Sequence, residues 1–197
     1  MASSSRTIWG LRIVGYTVIA ALSTALWISS HSVAFGDNQT AEYQIKAAFI
    51  YKFSSYIQWP DTSTGTGESS FTIAVVGADV LAEYLSEMVK GREVEGRPIV
   101  VRALEGANEE DLASVQVLFV GSSAEDDAAP ALASIKGRPV LTVTESDPSQ
   151  PDGGVINFVV VDDRVRFDIA LALAEQRRLK ISARLLEVAR RVLGRTS

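Results

Sequence analysis

Residues 153–193 read GGVINFVVVDDRVRFDIALALAEQRRLKISARLLEVARRVL, and this stretch decides the fold. Residues 155–161 are apolar apart from Asn157, which predicts a strand buried on both faces. Asp162 and Asp163 predict a turn. Beyond the turn the chain alternates: Val165, Phe167 and Ile169 fall on one face, while Arg164, Arg166 and Asp168 fall on the other. The return strand is therefore half-buried and carries its charges outward. Further on, Leu185, Ala189, Val192 and Leu193 recur at i, i+4, i+7 and i+8, with Arg184, Glu187, Arg190 and Arg191 opposite. That spacing predicts an amphipathic helix, capped by Ser182, closing the chain.

Working outward from the hairpin, continuous apolar runs predict strands at residues 71–76, 98–104, 115–120 and 140–143. Between them, helical spacing appears at residues 79–89 and 129–135, with the acidic run 125–127 placed ahead of the second helix. A first helix is expected from Glu42 to about Gln58, its apolar stripe made by Ile45, Phe49, Phe53 and Ile57, with Lys46 and Lys52 in solvent. Trp59-Pro60 stops it, because a residue before proline is pushed out of the helical region. Strands alternating with helices define an α/β fold: a single domain with a mainly parallel sheet flanked by helices, a C-terminal antiparallel hairpin and a closing helix.

Residues 1–34 read as an export signal, so the domain is expected to be residues 35–197. Arg6 and Arg12 supply a basic start, residues 13–28 an apolar core, and Ser32-Val33-Ala34 a small-x-small cleavage site. The alternative is an uncleaved anchor helix, against which the apolar run is short and interrupted by Ser and Thr. Cleavage removes two of the 19 Lys/Arg and none of the 24 Asp/Glu, moving the net charge from −5 to −7. Such a balance argues against a sequence-independent nucleic-acid binder.

The only histidine, His31, lies in that signal, and the chain has no cysteine. Ser-His and Cys-His nucleophile pairs, zinc sites built on His or Cys, and disulfides are thereby excluded from the processed domain. Ser122 and Ser123, without a histidine base, read as turn or cap residues. Gly77-Ala78-Asp79 lacks the spacing of a dinucleotide loop or a P-loop. Asp126-Asp127 and Asp162-Asp163 lack the alternating oxygen ligands of a calcium loop and read as solvated turns. No catalytic residue, metal site or cofactor is assigned; an enzyme using carboxylates alone is the remaining catalytic alternative.

For binding, Arg164 and Arg166 stand out, because alternation sets both guanidinium groups on one strand face about 7 Å apart, within reach of one anionic ligand or an acidic partner surface. The alternative is a solvated face, or pairing with Asp168 and nearby carboxylates. Asn157, the one polar residue of the preceding strand, joins them as a candidate. So does Tyr51, the aromatic of the first helix that falls off its apolar stripe.

Residues 153–182 resemble the C-terminal signature of the YfiR-like periplasmic proteins, in which a Gly-Gly-hydrophobic-Ile-x-Phe strand leads to Arg-Val-Arg-Phe and then to Leu-Lys-Ile-Ser. Lys46-Ala47-Ala48-Phe49-Ile50-Tyr51-Lys52-Phe53 through Trp59-Pro60 is similar to the family's N-terminal helix, and Gly96-Arg97-Pro98-Ile99 and Val117-Leu118-Phe119-Val120 fit its middle. The resemblance covers nearly all of residues 42–192. It implies a periplasmic α/β domain without catalysis, which binds and inhibits the periplasmic sensor part of a membrane diguanylate cyclase and so lowers cyclic di-GMP and biofilm growth. It also implies an outer-membrane or cell-wall-associated release factor as a second partner and leaves a homodimer open. The competing reading is a periplasmic binder of a small anionic or cell-wall-derived ligand.

The sequence departs from the family in places. Val115 stands where many relatives have cysteine, and Asp168 and Ala170 replace the usual Glu and Asn. Arg178 stands where relatives usually have glycine, so a left-handed helix cap there costs on the order of 1 kcal/mol.

Overall fold

The computed structural model describes residues 34–60, 70–106, 108–145 and 154–194. The chain clusters into two compact units, Met1–Gln39 and Thr40–Ser197, and the sheet belongs to the second. The export signal and its cleavage site, apart from Ala34, lie outside the described residues. No helix of the described residues is long and apolar enough to cross a membrane.

Helix α1 spans Ala34–Tyr56, so it starts eight residues earlier than Glu42, where the sequence places its start. Its buried side is made by Tyr43, Ala47, Ile50 and Phe53, while Ile45 is 47% exposed. The helix is thus rotated from the predicted stripe, and Phe49 is only partly buried. Strand β1 (Ile57–Gln58) ends it, followed by β2 (Phe71–Val76), α2 (Asp79–Val89), β3 (Glu93–Val94) and β4 (Arg97–Leu104). Next come β5 (Val117–Val120), α3 (Glu125–Ser134) and β6 (Leu141–Thr144). Residues 125–127 form the first turn of α3, where the acidic side chains of Asp126 and Asp127 complement the helix dipole.

The C-terminal part is β7 (Ile156–Val161), β8 (Arg164–Ala170), α4 (Leu171–Gln176), β9 (Lys180–Ile181), α5 (Ala183–Val188) and β10 (Arg191–Leu193). Eight strands form the main sheet in the order β10-β8-β7-β6-β5-β2-β4-β3. The five from β4 to β7 are mutually parallel, and β8 returns antiparallel to β7. This is the mainly parallel α/β sheet with a C-terminal hairpin that the sequence predicts. The closing helix is shorter than expected: Ser182 caps α5 by accepting from the Leu185 N–H at 3.4 Å, but Ala189 is already extended and β10 pairs parallel with β8.

One face of the sheet presents Phe71, Ile73, Val75, Val117, Phe119, Leu141, Val143, Ile156 and Phe158, packed with α1 and α2. The other face over β2 and β5 presents Ala74, Val76, Leu118 and Val120, packed with Leu112, Ala131 and Ile135. On α1, Phe49 and Phe53 meet Phe158 and Phe167, the closest pair being Phe53 and Phe167, edge-to-face at 4.9 Å. Such contacts stabilise beyond their area by about 1 kcal/mol. A second, two-stranded element joins β1 to β9, with Ile57 opposite Ile181 and Gln58 opposite Lys180. It ties the end of α1 to the segment after α4.

Candidate functional site

The hairpin is set by its turn. Asp162 and Asp163 have φ of 50° and 55°, the paired left-handed conformation that matches the twist of two antiparallel strands. The register that follows puts Asn157 opposite Asp168, Val159 opposite Arg166 and Val161 opposite Arg164. These six side chains share one face. The other face carries Phe158 opposite Phe167 and Ile156 opposite Ile169, against α1. The hairpin was expected to be buried along its whole first strand, yet Val160 and Val161 are 53% and 37% exposed, because β7 runs past the end of β6 there and keeps only β8 beside it.

The outward face is not uniformly solvated. Arg164 and Arg166 are exposed, and among the described residues neither makes an ion pair or a side-chain hydrogen bond. Asp168, expected outward with them, is only 2% exposed. Strand β10 closes over it. Arg190 donates from Nε to Oδ1 at 2.8 Å and from Nη2 to Oδ2 at 2.5 Å, while Arg191 donates from Nε and Nη2 to Oδ2 at 3.0 and 2.6 Å. Burial pushes the Asp168 carboxyl up, but the two guanidinium groups outweigh it and hold it below the usual carboxylate range. Pairing of Arg164 or Arg166 with Asp168 is therefore ruled out by prior commitment of the carboxylate. Because β10 pairs only with residues 168–170 of β8, the outer edge of β8 at residues 164–166 has no strand beside it among the described residues.

The other two candidates sit differently. Asn157 shares the face with Arg164 and Arg166, and its Oδ1 accepts from Thr144 Oγ1 at 3.0 Å. Tyr51 lies on α1, across the sheet, where its hydroxyl accepts from Arg92 Nη1 at 3.3 Å and its ring lies 5.0 Å from the Arg92 guanidinium. The structure thus groups three of the four and leaves Tyr51 apart.

Open α/β sheets usually bind ligands at the carboxyl ends of their strands, where successive connections leave in opposite directions. Here that place lies between β2 and β5, since the chain goes from β2 to β4 on one side and then to β5 on the other. It is filled. A Cβ on Gly121 would lie 2.5 Å from the Gly77 carbonyl oxygen, and one on Gly77 would lie 2.5 Å from Ala124 Cβ. Beside it Lys46, expected in solvent, is 4% exposed and donates to Glu145 Oε1 at 2.5 Å and to Glu42. Glu145 Oε2 in turn accepts from the Ser122 N–H at 3.0 Å. Desolvation pulls the Lys46 ammonium down, but its two carboxylate partners raise it above its ordinary value overall. One ammonium thus bridges two carboxylates, and the cluster braces α1 against the segments that follow β5 and β6. The sequence signal was Lys46 lying between Tyr43 and Ile50 on what is the buried side of α1.

Among the described residues no three His, Cys, Asp or Glu side chains converge as a metal centre requires. The fold and its polar face define a mixed α/β domain that offers an open arginine-bearing sheet face at one edge and a closed centre. No curated protein matches the chain. The model of the YfiR/HmsC-like family matches residues 43–190, and the chain belongs to that family. It is a family of regulatory proteins. The match begins at Tyr43, a buried residue of α1, and ends at Arg190, one of the partners of Asp168.

Proposed function

We propose that the protein is a non-enzymatic periplasmic regulator that binds and inhibits the periplasmic sensor part of a membrane diguanylate cyclase, lowering cyclic di-GMP. Membership of the YfiR/HmsC-like family supports the class of activity. The observation that carries the contact surface is the pair Arg164 and Arg166, exposed and without a counter-ion among the described residues, opposite Val161 and Val159 on one sheet face. Arginine beside apolar side chains is the composition of an interface centre. An acidic surface on the partner would supply the missing counter-charges. Export by residues 1–34, release by an outer-membrane or cell-wall-associated factor and the availability of a homodimer belong to the same reading.

The test is cyclic di-GMP in a strain lacking this gene and carrying a responsive cyclase. Wild type restores the low level, whereas Arg164→Glu/Arg166→Glu, made at equal abundance, leaves it high. An equal effect of both would place the contact elsewhere. The geometry also favours a second reading, a small anionic or cell-wall-derived ligand bridged by the same two guanidinium groups about 7 Å apart. Calorimetry with cell-wall fragments, comparing wild type with Arg166→Ala, tests it, and the absence of heat from both proteins rejects it.

A further inference from the structure

On the α1 side of the sheet, away from Arg164 and Arg166, two side chains hold buried donors without hydrogen-bond acceptors among the described residues. Arg97 has a side chain 12% exposed, and its Nε, Nη1 and Nη2 are all buried with no hydrogen-bond partner among the described residues. The indole Nε1 of Trp59 is in the same condition. Both residues pack on Phe71: the Arg97 guanidinium lies over its ring, 5.3 Å from the centroid, and the Trp59 ring meets it edge-to-face at 5.2 Å. Contact with the ring uses the charge of the guanidinium and leaves its N–H groups unsatisfied. Buried donors without acceptors are disfavoured, and more so when the donor is charged.

We propose that Arg97 and Trp59 form a recognition site for a carboxylate. The planar fork of Arg97 matches a carboxylate in two parallel hydrogen bonds, and the Trp59 N–H adds a third, neutral donor. Glu95 holds the carboxylate that pairs with Arg97 in the structure. It stands with Gly96 in the β3–β4 turn, both at positive φ, and holds a carboxylate oxygen 3.6 Å from Arg97 Nη2. That is within ion-pair range and beyond hydrogen-bonding range. The Glu95 side chain is 47% exposed, so it can swing into solvent when another carboxylate enters. The incoming group is either a free small carboxylate or an acidic side chain of a protein partner.

The test is an NMR titration of the chain, read at the Trp59 indole N–H and assigned with Trp59→Phe. Succinate serves as the free carboxylate and an acetylated, amidated Glu-Ala-Glu peptide as the protein-borne one, with succinamide and inorganic phosphate as controls. The expected result is a saturable shift with succinate, the peptide or both, a Kd in the millimolar range, and none with either control. Whichever probe acts identifies the source. Glu95→Gln, which removes the internal competitor, strengthens binding several-fold, and Arg97→Lys, which keeps the charge but loses the fork, weakens it about tenfold. No shift by either carboxylate in both wild type and Glu95→Gln overturns the proposal. An equal response to phosphate, or an undiminished response in Arg97→Lys, also overturns it. Should Arg97→Lys fail to fold, Glu95→Gln decides alone.

Discussion

Two pairs of arginines lie at one edge of the same sheet and have opposite fates. Arg190 and Arg191 converge on Asp168, a carboxylate taken almost wholly out of solvent, and each makes two hydrogen bonds to it. Arg164 and Arg166 occupy the same strand as Asp168, four and two residues upstream, and have no such commitment among the described residues. The difference is the reach of β10, which covers residues 168–170 and stops. Charge of one sign on one face thus divides into a part consumed by the fold and a part left over. The leftover part is where binding free energy is available, since no native contact must first be broken.

The comparison breaks most sharply at Asp168. Asp168→Ala leaves two guanidinium groups without their counter-charge and is expected to lower stability by about 2 kcal/mol in urea denaturation, toward the lower end for such pairs because both arginines reach solvent. Its pH signature follows from the sign of the shift. The folded carboxyl titrates below its unfolded value of 3.8, so its contribution is complete above that value and is lost as pH falls through the folded one. Acid melting of wild type should show this limb, and Asp168→Asn should lack it. Lys46 gives the mirror case: raised above 10.5, it contributes fully below that value and loses its contribution as pH climbs through the folded one, in a limb absent from Lys46→Met.

Arg164→Ala/Arg166→Ala tests the other half of the comparison. Stability should stay within about 0.5 kcal/mol of wild type, while binding to the proposed partner, a cyclase sensor domain, weakens about tenfold. A stability loss equal to that of Asp168→Ala would show that these arginines also belong to the fold. The smallest effect is expected at a fifth arginine. Arg178 has φ of 58° at the end of α4, where the Arg178 N–H donates to the Glu175 carbonyl and the Leu179 N–H to the Ala174 carbonyl, each at 2.9 Å. This is the glycine-favouring helix stop, built with an exposed arginine. Arg178→Gly should raise stability by about 1 kcal/mol. It thereby separates loss of a positive charge from loss of a contact.

The hairpin was legible because period-two alternation and the Asp162-Asp163 turn are local signals. Arg164 and Arg166 were placed on one face for the same reason. The burial of Asp168 was not legible, since residues 185–193 carry helical spacing while pairing with β8 draws residues 191–193 into a strand. Tertiary pairing overrode the local pattern. Lys46 escaped for a related reason: its partner Glu145 is 99 residues away, and no window of sequence shows that distance. The stripe on α1 holds at Phe53 and Ile57 and fails at Ile45, because Ile45 obeys the four-residue spacing as well as Tyr43 and Ala47 do, and only the packing of the folded domain, which buries Tyr43 and Ala47, chooses between them.

The short pairing of β1 with β9 has a further consequence for how the chain reaches this state. Ile57 must wait for Ile181, and the Ser182 N–H closes on the Tyr56 carbonyl at 3.0 Å, so the end of the first helix is completed by one of the last segments. Contacts between residues so far apart in sequence slow folding. A ribosome delivers Tyr56 long before Ser182, and during that interval the amino-terminal helix has no finished seat. The clip is therefore expected among the last contacts to form, and a chain truncated before Lys180 should lack it.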